Sequence, residues 1–161
     1  MTDADGTVVR VLPADEWRTW RAIRLRSLAD APEAFGSTLA REQGFTEDDW
    51  RQRLAGVAVL ATVDGVPAAL GGGFRVRDGW MQVVAMWTDP AYRRRGLAER
   101  ILDVVVAAAR AEGRRLVLDV AQGNPAARSV YEGYGFVATG ESEPIRPGTA
   151  DLVDLMVLPE A

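Results

Sequence analysis

The sequence predicts a mixed α/β sheet in which an antiparallel meander enters a β–α–β crossover. Two observations carry that prediction. Apolar runs over 57–63, 66–76 and 80–88 are separated by Asp64-Gly65 and by Arg77-Asp78-Gly79, the residues tight hairpins demand. After the third run, a helical apolar period begins at Leu97, and a further β-rich run, Arg115 to Ala121, follows Gly113.

The remaining elements follow from local signals. Thr7 to Leu12 alternates as a short first strand, and Pro13-Ala14-Asp15 opens a helix with Asp15 as its N-cap. Trp17, Trp20, Ile23, Leu25 and Leu28 give that helix a buried face, Arg18, Arg21 and Arg26 its wet side, and Asp30-Ala31-Pro32 its end. Ala34 to Gln43 carries no single pattern. Thr46-Glu47-Asp48-Asp49 caps a second helix reaching Leu54 or Ala55, which Gly56 stops. The helix from about Leu97 to Glu112 buries Leu97, Ile101, Leu102, Val105 and Ala108. A short helix from Asn124 to about Tyr134, a strand over Gly135 to Thr139 and a last strand over Leu152 to Leu158 complete the order. With no repeat, low-complexity tract or linker, residues 1–161 are expected to form one domain.

Composition narrows the chemistry. The 161 residues include no Cys and no His, and all 19 basic residues are Arg. Cysteine or serine–histidine nucleophiles, Schiff bases and Cys/His zinc sites are therefore excluded. Asp, Glu, Tyr, Ser, Thr, Asn, backbone groups and water remain, and no metal is expected. A net charge of −4 speaks against general binding of nucleic acid. No signal peptide and no bilayer-length apolar run are evident, so a cytoplasmic location away from membranes is expected.

Two segments carry function. Asp89-Pro90-Ala91-Tyr92-Arg93-Arg94-Arg95-Gly96-Leu97-Ala98 joins a strand to a helix. The first N–H groups of a helix lack partners and its dipole favours an anion, so this turn is a seat for phosphate. Gly96 permits close backbone approach, and the arginines either add donors or form a solvated charge run. Further on, Asn124 and Pro125 form an N-cap and first-position pair. Tyr131, seven residues after Asn124, returns to nearly the same helix face.

Together these segments resemble the GNAT superfamily of N-acetyltransferases. Arg93-Arg94-Arg95-Gly96-Leu97-Ala98 matches its acetyl-CoA turn, Arg/Gln-x-x-Gly-x-Gly/Ala. Asn124, Ala127, Tyr131, Glu132, Gly135 and Phe136 match its second signature. The resemblance implies a mostly antiparallel sheet of six to seven strands flanked by about four helices, with splayed parallel strands at the acetyl-CoA site.

The resemblance also implies roles. The main chain of Met86, Trp87 and Thr88 contacts pantetheine and the acetyl carbonyl, which is compatible with both large side chains being core. The pyrophosphate sits on Arg94, Arg95, Gly96, Leu97, Ala98 and Glu99, mostly through main-chain N–H groups, and Arg93, Asn124, Arg128 and Tyr131 are further cofactor-binding residues. Tyr131 either hydrogen-bonds the departing thiolate or packs under the sheet. Asp119 is a candidate base, directly or through water, or else a strand carboxylate held by hydrogen bonds. The acceptor walls fall at Leu28 to Trp50 and Gly140 to Thr149, where Glu33, Glu42, Asp48 and Asp49 meet a cationic amine or act as capping and solvated groups. Phe35, Phe45 and Trp50 line a pocket or belong to the core. Family habit suggests a homodimer.

The expected activity is direct acetyl transfer from acetyl-CoA to an amine in a ternary complex, because no Cys exists to carry the acetyl group. The alternative is a non-catalytic acyl-CoA-binding domain. A Rossmann reading fares worse, since the turn follows a meander and lacks three spaced glycines near an early strand.

Overall fold

The computed structural model describes residues 3–160 and forms one seven-stranded mixed sheet. In chain order, β1 (Thr7–Val11) leads to α1 (Trp17–Asp30), then to the short helices α2 (Leu39–Gln43) and α3 (Glu47–Arg53). The meander β2 (Val57–Val63), β3 (Val66–Arg75) and β4 (Trp80–Thr88) follows, then α4 (Leu97–Ala111) and β5 (Arg115–Ala121). The chain closes with α5 (Pro125–Tyr134), β6 (Val137–Pro144) and β7 (Leu152–Leu158). The strand order is β1-β2-β3-β4-β5-β7-β6, antiparallel throughout except for β4 with β5.

Each face of the sheet is covered by helices. On one face, Leu97, Ile101, Leu102, Val105, Val106 and Ala109 of α4 bury against Val59, Met81, Val83, Leu116 and Leu118. On the other, Trp17, Trp20, Ile23 and Leu28 of α1 and Trp50 of α3 cover Ala58, Leu60 and Leu70. Among the described residues no helix is long and apolar enough to cross a membrane.

Three expectations need correction, and one stretch without a pattern proves partly helical. Asp15 is not an N-cap: Ala14–Glu16 form a 3-10 turn, and α1 starts at Trp17 without a side-chain cap. Glu16, at the cap position, is instead held by Arg10 through two hydrogen bonds of 2.6 and 2.7 Å. Pattern-free 34–43 contains α2, capped by Thr38, whose hydroxyl accepts from Arg41 N. In α4, Ala109 is the buried alanine and Ala108 only partly so. The strand expected over Gly135 to Thr139 runs from Val137 to Pro144: Gly135, at φ +125°, ends α5 and Phe136 N still bonds Tyr131 O at 2.9 Å, while pairing with β7 resumes at Ser142 past a register shift. The Thr46 cap is a full capping box with Asp49.

Candidate active site

The site is built where β4 parts from β5. Their parallel pairing covers only Trp80–Arg115, Met81–Leu116 and Gln82–Val117, whereas β5 continues along β7 to Ala121–Val153. From Val83 onward the β4 edge facing β5 has no strand partner. On the opposite edge the register slips, so that Ala85 and Met86 both lie across from Gly71. Ala85 takes φ +61°, a left-handed conformation that costs an L-residue ~1–2 kcal/mol. Strain of this kind concentrates at functional sites.

The bulge resets the side-chain alternation of β4. Val83 and Met86 pack towards α4, while Ala85 and Trp87 pack towards α1. Gly71 makes this possible. A Cβ there would stand 2.3 Å from Met86 Sδ and 2.7 Å from Ile101 Cγ2.

The divergence opens a groove of about 910 Å³. Met86, Trp87 and Thr88 wall it on the β4 side, Arg93, Arg94 and Gly96–Glu99 at the turn, and Asn124 and Tyr131 on α5. Gly96, at φ +73°, caps α4 without a side-chain bond, and the first helical bond is Arg100 N to Gly96 O at 3.2 Å. The N–H groups of Leu97, Ala98 and Glu99 thus have no helical acceptor. Arg94 is also left-handed, at φ +64°, and successive backbone donors in such a turn are the kind of array that binds anions.

The arginines divide in role. Arg93 ties the turn to its own strand, Nε donating to Thr88 O at 3.0 Å and Nη2 to Asp30 at 3.4 Å. Asp30 also accepts from Trp87 Nε1 at 2.8 Å. Arg94 lines the groove and makes no hydrogen bond or ion pair among the described residues. Arg95 stands outside the lining, with its guanidinium 5.5 Å over the Tyr92 ring. Arg128 also stands outside it, donating to Asp154 at 2.6 Å and facing Glu132 at 3.4 Å.

On α5, Asn124 Oδ1 accepts from Ala127 N at 3.1 Å, so this side chain starts the helix while bordering the groove. Tyr131 is buried, edge-on to Phe136 with ring centroids 6.0 Å apart. Burial pushes its phenol well above the ordinary value, keeping it protonated.

Asp119 lies elsewhere, in an adjoining cavity of about 360 Å³ on the α1–α3 side of the sheet. Ala34 and Phe35 border both spaces. Asp119 Oδ2 accepts from Gln82 Nε2 at 3.1 Å, and Oδ1 is buried without a partner. Burial and then the charge of Glu143 push this carboxyl above its usual 3.8, against the Gln82 bond.

Of the acids named as acceptor contacts, Glu42 is claimed by Arg24, which donates to both its oxygens at 3.0 Å. Asp49 serves the capping box. Phe35 lines both spaces, whereas Trp50 is core. Gln82, Glu143 and Arg53 also border the cavity and went unread in the sequence. Their one local signal is Glu143's place in the expected wall between Gly140 and Thr149.

The Arg24–Glu42 pair is nearly buried, with side-chain exposures of 12% and 4%. Burial pushes the Glu42 carboxyl up, but the hydrogen bonds and charge of Arg24 outweigh it and hold the group below 4.5. A depressed carboxylate stabilises the fold above its unfolded pKa, and that contribution is lost as pH falls through the folded value. Glu42→Gln should therefore cost about 3–5 kcal/mol in urea unfolding at neutral pH, by leaving Arg24 uncompensated. The loss should shrink on acidification.

Comparison with known proteins agrees with this geometry. The family model described as "Acetyltransferase (GNAT) family" matches residues 17–136. No curated protein sequence matches the chain. Among solved structures, a GNAT-family acetyltransferase from Streptococcus pneumoniae superposes with a TM-score of 0.78 at 22% identity, over 95% of this chain and 99% of that one. The yncA protein from Salmonella typhimurium, described with its cofactor acetyl-CoA, gives 0.71 at 18% identity, over 96% and 95%. The ribosomal-protein-S18-alanine N-acetyltransferase from Escherichia coli gives 0.69 at 19%, over 95% and 93%. With the parted strands, the uncapped α4 terminus and a family match from α1 to the end of α5, the chain belongs to the GNAT acetyltransferase family.

Proposed function

We propose that the protein transfers an acetyl group from acetyl-CoA directly to a primary amine held in the same complex. One observation carries this reading: the unpaired edge of β4 opens into a single groove between the donor-rich start of α4 and Tyr131. Two fold neighbours, from Bacillus anthracis and Salmonella typhimurium, are described with acetyl-CoA, which supports the same ligand here.

Acetyl-CoA supplies the acetyl group as a thioester. The main chain of Arg94 to Glu99 holds its diphosphate, with the Arg94 side chain adding charge. The free edge of β4 orients the pantetheine arm, and an N–H beside the bulge at Ala85 stabilises the developing oxyanion. In the adjoining cavity, Asp119 takes the proton that the amine must lose before it attacks, directly or through water.

Tyr131 donates a hydrogen bond to the departing thiolate. Full proton transfer from an ordinary phenol near 10 to the thiolate of a thiol near 8.5 is uphill by about 2 kcal/mol. Burial of Tyr131 steepens that gradient, so the phenol acts by hydrogen bonding.

The test is acetyl-CoA-dependent thiol release with a panel of primary amines, with acylated products identified by mass. Tyr131→Phe should lower kcat about 10- to 100-fold, the worth of one hydrogen bond to a charged atom. Calorimetry should find acetyl-CoA affinity retained. Unchanged turnover would remove Tyr131 from the mechanism. A non-catalytic acyl-CoA-binding domain would bind acetyl-CoA and release no thiol with any amine.

A further inference from the structure

The cavity beside Asp119 carries opposite charges on opposite sides. On the β5–β6 side stand Asp119 and Glu143. Asp119 has one buried oxygen without a partner, and neither acid forms an ion pair among the described residues. On the helical side, Arg24 and Arg53 outnumber Glu42. Arg24 donates to both oxygens of Glu42, which also feels the charge of Arg53, and Arg24 Nη1 remains buried and unpartnered. Arg53 is half-buried, its guanidinium 4.8 Å over the Phe45 ring, and it makes no hydrogen bond or ion pair among the described residues.

The cavity therefore holds a surplus of one positive charge at one side and two negative charges at the other. The sheet order keeps the two sides apart: Arg53 ends α3 just before β2, and Asp119 rises from β5, three strands further along, on another wall of the same cavity. A plain amine would satisfy the acids and leave the helical side with two guanidinium groups sharing the one carboxylate of Glu42. A ligand bearing both an ammonium and an acid group answers both sides. The volume of about 360 Å³ lies at the small end for ligand sites.

We propose that the acceptor is a free amino acid: a small zwitterion whose amine faces Asp119 and Glu143 and whose carboxylate is bound by Arg53. The proposal rests on the acetyl-transfer reading. The ammonium gives one proton to Asp119 before attack; its nitrogen then forms the new amide bond to the acetyl carbon as the thioester C–S bond breaks, the second proton is lost to solvent, and the thiolate is protonated from solvent.

The experiment offers α- and ω-amino acids with acetyl-CoA, each beside its methyl ester and its decarboxylated amine. Acetyl-CoA binding is measured separately by calorimetry. At least one free amino acid should surpass its ester and decarboxylated amine in kcat/KM by about 10- to 100-fold, the worth of one charge-assisted contact. Arg53→Gln should raise KM for that amino acid by a similar factor and abolish the preference over the ester, and Arg53→Lys should restore part of it. If Arg53→Gln fails to fold, Glu143→Gln should raise the amino acid's KM with little change in kcat. Esters or plain amines used as well as the free acids would overturn the proposal, as would acetyl-CoA binding with no turnover of any amino acid. Failure to bind acetyl-CoA would instead overturn the acetyl-transfer reading on which it rests.

Discussion

Ala98→Asp should raise the KM for acetyl-CoA by about 100-fold or more while leaving the fold as stable as before, or slightly more so. Ala98 is half-buried in the first turn of α4, where the backbone N–H groups lack helical acceptors. A carboxylate in a first turn gains about 0.3–1 kcal/mol from the helix dipole, so thermal stability should not fall. The same carboxylate would stand against the diphosphate. At 4 Å and an effective dielectric of 20, one like-charge pair costs about 4 kcal/mol, and solvent exposure of the turn reduces this. Ala98→Asn carries similar bulk without charge and should cost less than about 10-fold. Equal loss in the two variants would mean that steric fit, not anion binding, governs the turn.

Asp119→Asn should lower kcat/KM by about 10²–10⁴-fold, the usual worth of a general base. The amide can still accept from Gln82, so the wall of the cavity should hold. The pH dependence carries the sign. A base works when ionised, and the Asp119 carboxyl lies above its usual 3.8 through burial and the charge of Glu143. Wild-type activity should therefore fall as pH drops through that raised value, and the variant should lose this acidic limb. Glu143 on β6 is the charged group that raises Asp119, so Glu143→Gln should move the limb to lower pH. A carboxyl with a raised pKa destabilises the fold once ionised, so Asp119→Asn should be no less stable than wild type at neutral pH. An unaltered pH–rate profile would return Asp119 to the role of a hydrogen-bonded strand residue.

Local chemistry made much of this architecture readable. The limits of β2, β4, β5 and β7 coincide with the apolar runs expected, because Asp-Gly and Arg-Asp-Gly turns and Gly113 punctuate them. The Gly96 turn and the Asn124 cap were equally legible, since each is defined by neighbours in sequence. The bulge at Ala85 was not. It depends on Gly71 and on Ile101 of α4, and no alanine in a strand announces a left-handed backbone. Arg128 shares a helix with Tyr131, but Asp154 on β7 draws its side chain away from the groove. Asp119 stood out in its strand, but the charge pattern of the second cavity joins it to Arg53 and Glu143, which only the folded sheet brings to the same cavity.

The most direct measurement is amide chemical-shift mapping of the isotope-labelled protein as acetyl-CoA is added. The predicted result is a saturable set of perturbed amides at Ala85 to Thr88, Arg94 to Glu99 and Asn124 to Tyr131, with β1 and β6 unmoved. Absence of saturable shifts, or shifts centred away from the gap between β4 and β5, would contradict the account.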